Sequence, residues 1–161
     1  MLGTSAIYHR ITWSPEKRSI IKRIDHSAIF ILIASTATPV AMFALSAEEG
    51  KEFLLIVWAA AIVGVLQSIF WVSAPKYVTA IFYIFVGCLA VPYSSSINAA
   101  IGSAKLSLIL MGGFFYIIGA LFYAFKKPNL YPGVFGYHEL FHLFTVFGIF
   151  FHFVLVYQLV N

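Results

Sequence analysis

The stretch that decides the fold is IDHSAIFILIASTATPVAMFALS, residues 24–46, which after Asp25 and His26 carries no further charge. A bilayer core about 30 Å thick needs about 20 helical residues to cross it. The stretch therefore reads as a transmembrane helix, with its ionisable residues at one end. Working outward, apolar runs of the same kind lie at 53–72, 77–92, 106–125 and 138–160, the third being the shortest. Pro39 and Pro92 are expected to kink or end their helices, because proline lacks the N–H of the helical ladder.

Composition agrees with the runs. Of 161 residues, 61% are apolar and only 10% charged, and the mean hydropathy is +0.94. An average soluble domain carries about 25% charge, so too few charges are present to coat a water-facing surface, and a soluble globule is excluded. The expected fold is an all-α polytopic membrane bundle of five full helices in a single integral membrane domain spanning residues 1–161. The net charge of +4 does not indicate a nucleic-acid partner, because the basic residues are scattered among short loops. Membrane lipids are the expected partners. Cys88, the single cysteine, lies in an apolar run and reads as a small buried hydrophobe.

The charges also orient the chain. Arg10, Lys17, Arg18, Lys22, Arg23, Lys76, Lys126 and Lys127 fall on one side of the five-span scheme, and only Lys51 and Lys105 on the other. The side rich in lysine and arginine is cytoplasmic by the positive-inside rule. The C-terminus is then expected outside, in a cell (plasma) membrane. Tyr8, Trp13, Trp71, Tyr77, Tyr93, Tyr123, Tyr131, Tyr137 and Tyr157 lie near span ends and read as an aromatic belt. Residues 1–9 are largely apolar and too few to cross, so they read as the end of a further helix whose earlier part lies upstream.

This orientation brings His9, Asp25, His26, His138, Glu139 and His142 to one depth. His138 and His142 are i and i+4 on a helix and project from one face, and Ser5 and His9 repeat the relation on another. Two imidazoles one turn apart can share a metal ion. A third from His9 gives zinc three nitrogen donors and leaves a fourth position for water, the pattern of a catalytic site. Asp25 at that depth is a candidate base for such a water. The alternative is that these histidines are polar anchors at helix ends, where charge is tolerated better than at mid-membrane.

His26 and Glu139 lie about 100° around their helices from Asp25 and His138. They read as helix-end solvation and, for Glu139, as a partner of the N-terminal dipole. His152 lies ten residues beyond His142 and is too deep to share its ion. It reads as an interhelical hydrogen-bonding group, or with Thr145 as part of a polar track. Gly112, Gly113 and Gly119 are expected to permit close helix packing, and Ser35, Thr36 and Thr38 to repair the helix at Pro39.

Three segments in order, SAIYH (5–9), RIDHSAIFILIASTATP (23–39) and GYHELFHLF (136–144), resemble the hemolysin III proteins. These are the bacterial branch of the progestin and adiponectin receptor family of seven-helix membrane proteins. The resemblance implies that its S-x-x-x-H motif falls on Ser5 and His9, its aspartate on Asp25 and its H-x-x-x-H on His138 and His142. It further implies zinc held by the three histidines near the cytoplasmic face, with Asp25 and Ser5 in the catalytic apparatus. Two helices precede SAIYH in that family, so the chain is expected to be an N-terminally truncated form. Three functions follow as expectations: a zinc-dependent, ceramidase-like amide hydrolase concerned with membrane lipid homeostasis, a pore-forming hemolysin or channel assembled as a homo-oligomer, and a non-catalytic lipid sensor.

Overall fold

The computed structural model describes residues 1–131 and 134–161. Apart from one isolated bridge between Tyr131 and Phe135, the regular structure among the described residues is helical. Helix α1 spans Leu2–Arg10, α2 Pro15–Ala44, α3 Ala47–Phe70, α4 Lys76–Gly87, α5 Ser94–Phe125 and α6 Tyr137–Val160, and a 3-10 segment, Cys88–Tyr93, joins α4 to α5. The boundaries follow local chemistry. Pro15 occupies the first turn of α2, where a missing N–H costs nothing. Ser46 and Glu49 form a reciprocal capping box that opens α3 two residues after α2 ends.

Four helical stretches are long and apolar enough to cross a membrane: α2, α3, the continuous run Lys76–Phe125, and α6. The expected third and fourth spans thus fall in one helical run, and the segment between them is helical on either side of Gly102. That run doubles back on itself. Ala80 of α4 packs in one cluster with Ala120 and Tyr123 of α5, and Lys76 Nζ lies 4.6 Å from the Tyr123 ring centroid. The outgoing leg adds about 18 Å of α-helix to about 12 Å of 3-10 helix, near the thickness of a bilayer core. The return is set by Pro92 in the 3-10 segment and by Gly102, whose φ of 80° breaks the helical geometry within α5 and suits a residue without Cβ. Pro39, by contrast, does not end α2. The Thr36 and Thr38 hydroxyls donate to carbonyls one turn back, at 2.9 Å to Leu32 and 2.8 Å to Ala34, and the helix runs on to Ala44.

The surface is inverted relative to a soluble protein. Leu55, Phe70, Met42 and Phe153 stand outward at 65 to 82% exposure, while Phe30, Ala34, Phe53, Val57 and Ala61 are buried between α2 and α3. Such an exterior is stable only against lipid, so the chain is an integral membrane helix bundle. Cys88 is on this exposed surface and is not the buried hydrophobe expected, because the 3-10 segment turns it outward. Close helix approach is set by glycines. A Cβ at Gly112 would meet the His152 ring at 2.3 Å, one at Gly64 the Phe30 ring at 2.3 Å, and one at Gly119 would press on Phe144. Gly113 has nothing within 4 Å and faces away from the packing seam, contrary to expectation.

Hydrogen bonds across the bundle sort its two ends. At one, Lys22 of α2 donates to the Val72 carbonyl just after α3, and Lys76 donates to the Tyr137 hydroxyl at the start of α6. At the other, Ser96 donates to Glu49 and Lys105 to the Gln158 carbonyl. The first end also carries the end of α1, the start of α2 and the end of α5.

Candidate metal centre

Three imidazoles converge at that first end. His9 is carried by the last turn of α1, and His138 and His142 by the first turns of α6, one turn apart on one face. His138 Nε2 lies 3.1 Å from His9 Nε2 and 3.2 Å from His142 Nε2. All three ring nitrogens lie within 4.8 Å of one another. A ring nitrogen has either one hydrogen or one lone pair, so His138 Nε2 satisfies only one of its two neighbours by hydrogen bonding. A cation facing three lone pairs satisfies all of them. Tetrahedral zinc with bonds of about 2.0 to 2.1 Å sets its nitrogen donors about 3.3 Å apart, close to the two short separations. The donor set therefore fits a metal ion. The outer nitrogen of His138, Nδ1, is buried without a partner among the described residues, and its ring packs against Phe141 and Tyr123.

His9 is at the exposed rim. Its partial burial, with Arg18 nearby, lowers its pKa below the ordinary histidine value against an opposing pull from Glu139. It thus presents a neutral ring at neutral pH, as ligation requires.

Asp25 is buried at 7% exposure, ten residues into α2, and its carboxylate has the Ser5 hydroxyl of α1 beside it. Between Asp25 and the three histidines is a cavity of about 20 Å³, also bordered by His26, Tyr83 and Tyr123. That is room for one water molecule. Of the residues read from sequence as one site, His9, Asp25, His138 and His142 line this cavity from α1, α2 and α6, and Ser5 lies behind Asp25.

Other residues take different places. The run HELFH (138–142) also satisfies the H-E-x-x-H spacing in which the glutamate serves as a base. Here Glu139 Oε2 accepts the Gly136 N–H at 2.8 Å, capping α6 from an exposed position. This is the helix-end role expected of it. His26 borders the cavity outside the three-histidine group, with its Nε2 3.4 Å from the Tyr123 hydroxyl and its Nδ1 3.8 Å from Asp25. Tyr123, read as part of the aromatic belt, is instead buried at 8% exposure, since its place on α5 faces α2 and α6. Tyr83, whose hydroxyl donates to the His26 carbonyl, carries no signal in the sequence reading, and Lys76, beside Tyr137, figures there only as an orienting charge. Only knowledge of which helices adjoin would have found them. His152 Nε2 meets the Ile109 carbonyl at 3.3 Å, the interhelical role expected, and Thr145 donates to its own helix at Phe141.

Fold and site together define a class, the helical integral membrane proteins that gather histidines and an aspartate at one end of the bundle. The family described as "Haemolysin-III related" matches residues 1–153. The chain is similar to the "Hemolysin-3 homolog" of Bacillus subtilis (strain 168), with 33% identity over 145 residues, covering 90% of this chain and 65% of that protein. It is also similar to "Hemolysin-3" of Bacillus cereus, with 32% identity over 144 residues, covering 89% and 63%. This chain belongs to the hemolysin III family. It spans slightly less than two thirds of the length of these two relatives. No solved structure matches it.

Proposed function

We propose that the chain forms the core of a membrane-embedded, zinc-dependent hydrolase acting on a lipid amide, with the histidine end on the cytoplasmic side of the cell membrane. The observation that carries this reading is the convergence of His9, His138 and His142 on a one-water cavity that Asp25 borders. The three histidines would hold zinc, which supplies Lewis acidity to a carbonyl and brings the pKa of water toward ~7. Asp25 accepts the proton of the water in the cavity, and Ser5 steadies the carboxylate for that role. Ile29 and Phe141 give this small cavity an apolar wall opposite its ionisable groups. Eight basic residues on the histidine end against two on the other support the orientation, and the C-terminus of α6 then lies outside.

The names of the two relatives speak of lysis by those proteins. A pore in this chain would draw on the polar face of α6, but Thr145 donates to its own helix at Phe141 and His152 meets the Ile109 carbonyl of α5, so both groups are already engaged. This supports hydrolysis over a conduit through one chain. The test is metal analysis of the purified chain beside His138→Ala and His142→Ala, with turnover of a long-chain N-acyl lipid. About one zinc per chain, lost with turnover in both variants, is expected. Metal retained in both variants would overturn the site, and metal without turnover would leave a lipid sensor. Leakage from vesicles that persists after chelation would favour a pore between copies of the chain.

A further inference from the structure

A second and larger cavity, about 250 Å³, adjoins the first and shares His9, His26, Tyr123 and His138 with it. Its remaining wall sets Lys22 from α2, Gln67 and Ser68 from α3, and Lys76 from α4 among the apolar Trp71, Val72 and Ala74. Lys22 uses one ammonium proton on the Val72 carbonyl at 3.1 Å. Lys76 uses one on the Tyr137 hydroxyl at 2.7 Å, its charge 4.5 and 4.6 Å from the centroids of the Tyr137 and Tyr123 rings. An ammonium group has three donors, so both keep donors to spare. Among the described residues neither lysine forms an ion pair with a carboxylate. Gln67 Oε1, on the same wall, is buried without a partner among the described residues and offers an acceptor to a ligand hydroxyl.

Half-buried ammonium groups with no carboxylate partner, here at helix ends on the basic side of the bundle, keep their spare donors for an anionic ligand. Basic pockets between transmembrane helices characteristically take phosphate-bearing headgroups. The volume falls below that of pockets for drug-sized molecules, roughly 300 Å³ and upward, so it suits a headgroup with the acyl chains left in the bilayer. We propose that this cavity is an anion subsite in which Lys22 and Lys76 hold a phosphate-class oxyanion, placing its bearer against the histidine cluster. As a determinant of substrate the subsite rests on the hydrolase reading, whereas its binding of anions does not.

The test is binding to the chain in neutral detergent of three probes: short-chain phosphatidic acid, the matching diacylglycerol, and inorganic phosphate. Saturable binding of phosphatidic acid and none of diacylglycerol is expected. Lys22→Gln and Lys76→Gln each weaken it about fivefold, in keeping with the contribution of one lysine near a lipid surface, and Lys51→Gln at the opposite end leaves it unchanged. Inorganic phosphate competing at similar concentration would identify the free anion as the ligand, and no competition would identify the lipid. Equal binding of phosphatidic acid and diacylglycerol by the unaltered chain would overturn the proposal, as would lysine variants that bind like it. Zinc content measured on the same samples separates the two readings. Lysine variants that keep metal and lose the anion touch the subsite alone, and His142→Ala that loses metal yet binds the anion touches the metal centre alone.

Discussion

At the scale of single residues the chemistry turns on which groups compete for the same nitrogen. His138 Nε2 has two imidazole neighbours and one valence to offer, and this frustration marks the cluster as a ligand set more clearly than the H-x-x-x-H spacing alone. Asp25 lies across the one-water cavity and outside the ligand group. Asp25→Asn is therefore expected to keep zinc and lose about a hundredfold to ten-thousandfold in turnover, the range associated with a general base. Parallel metal analysis and kinetics check this, and joint loss of metal and activity would make Asp25 a ligand instead. The pH dependence follows from His9. Its pKa is lowered, so the proton that competes with metal binds His9 only at more acid pH than an ordinary histidine, about 6.5. Zinc occupancy should stay level as pH falls from 8 to about 6.5 and decline only below it. A decline centred above that value would contradict the assignment.

At the scale of elements, the parts legible in sequence were those governed by spacing along one helix. Ser5 with His9, and His138 with His142, lie one turn apart wherever α1 and α6 are placed. What spacing does not reveal is which helix stands opposite, and so Tyr123 read as an interfacial residue while it lies between α2 and α6. The run Lys76–Phe125 doubles back and so holds both the expected third and fourth spans in one helical stretch. Pro92 and Gly102 mark the interruptions, which the backbone meets with a 3-10 segment and a single non-helical residue in place of a long loop. Between α2 and α3, a Cβ at Gly64 would overlap Phe30, a fully buried ring. Gly64→Ala puts a methyl where the ring sits and should destabilise the bundle by about 1 to 3 kcal/mol, as overpacking does. Gly113→Ala on the open side of α5 is expected to be neutral or slightly stabilising. Thermal unfolding in one detergent checks the pair, and equal shifts would mean that the seam yields.

At the scale of the whole molecule, the asymmetry of charge is the property most fully written in the sequence. It needs only the order of spans and no contact between them. The bundle keeps it, since the helix ends that carry Arg10, Lys22, Lys76 and Lys126 are the ends that assemble the histidines. Placing them in the cytoplasm also places the anion subsite at the leaflet whose surface is negative and whose headgroups it would meet. The orientation can be tested without reference to activity. In a Cys88→Ser background, Asn161→Cys at the end of α6 should react with a membrane-impermeant maleimide on intact cells. Lys127→Cys, just beyond α5, should react only after permeabilisation. The opposite pattern would invert the protein and put the three histidines outside, where Asp25 would face a different water and a different lipid leaflet. Labelling at both positions on intact cells would mean that the charge bias does not fix one topology, and a dual orientation would then have to be built into any account of the site.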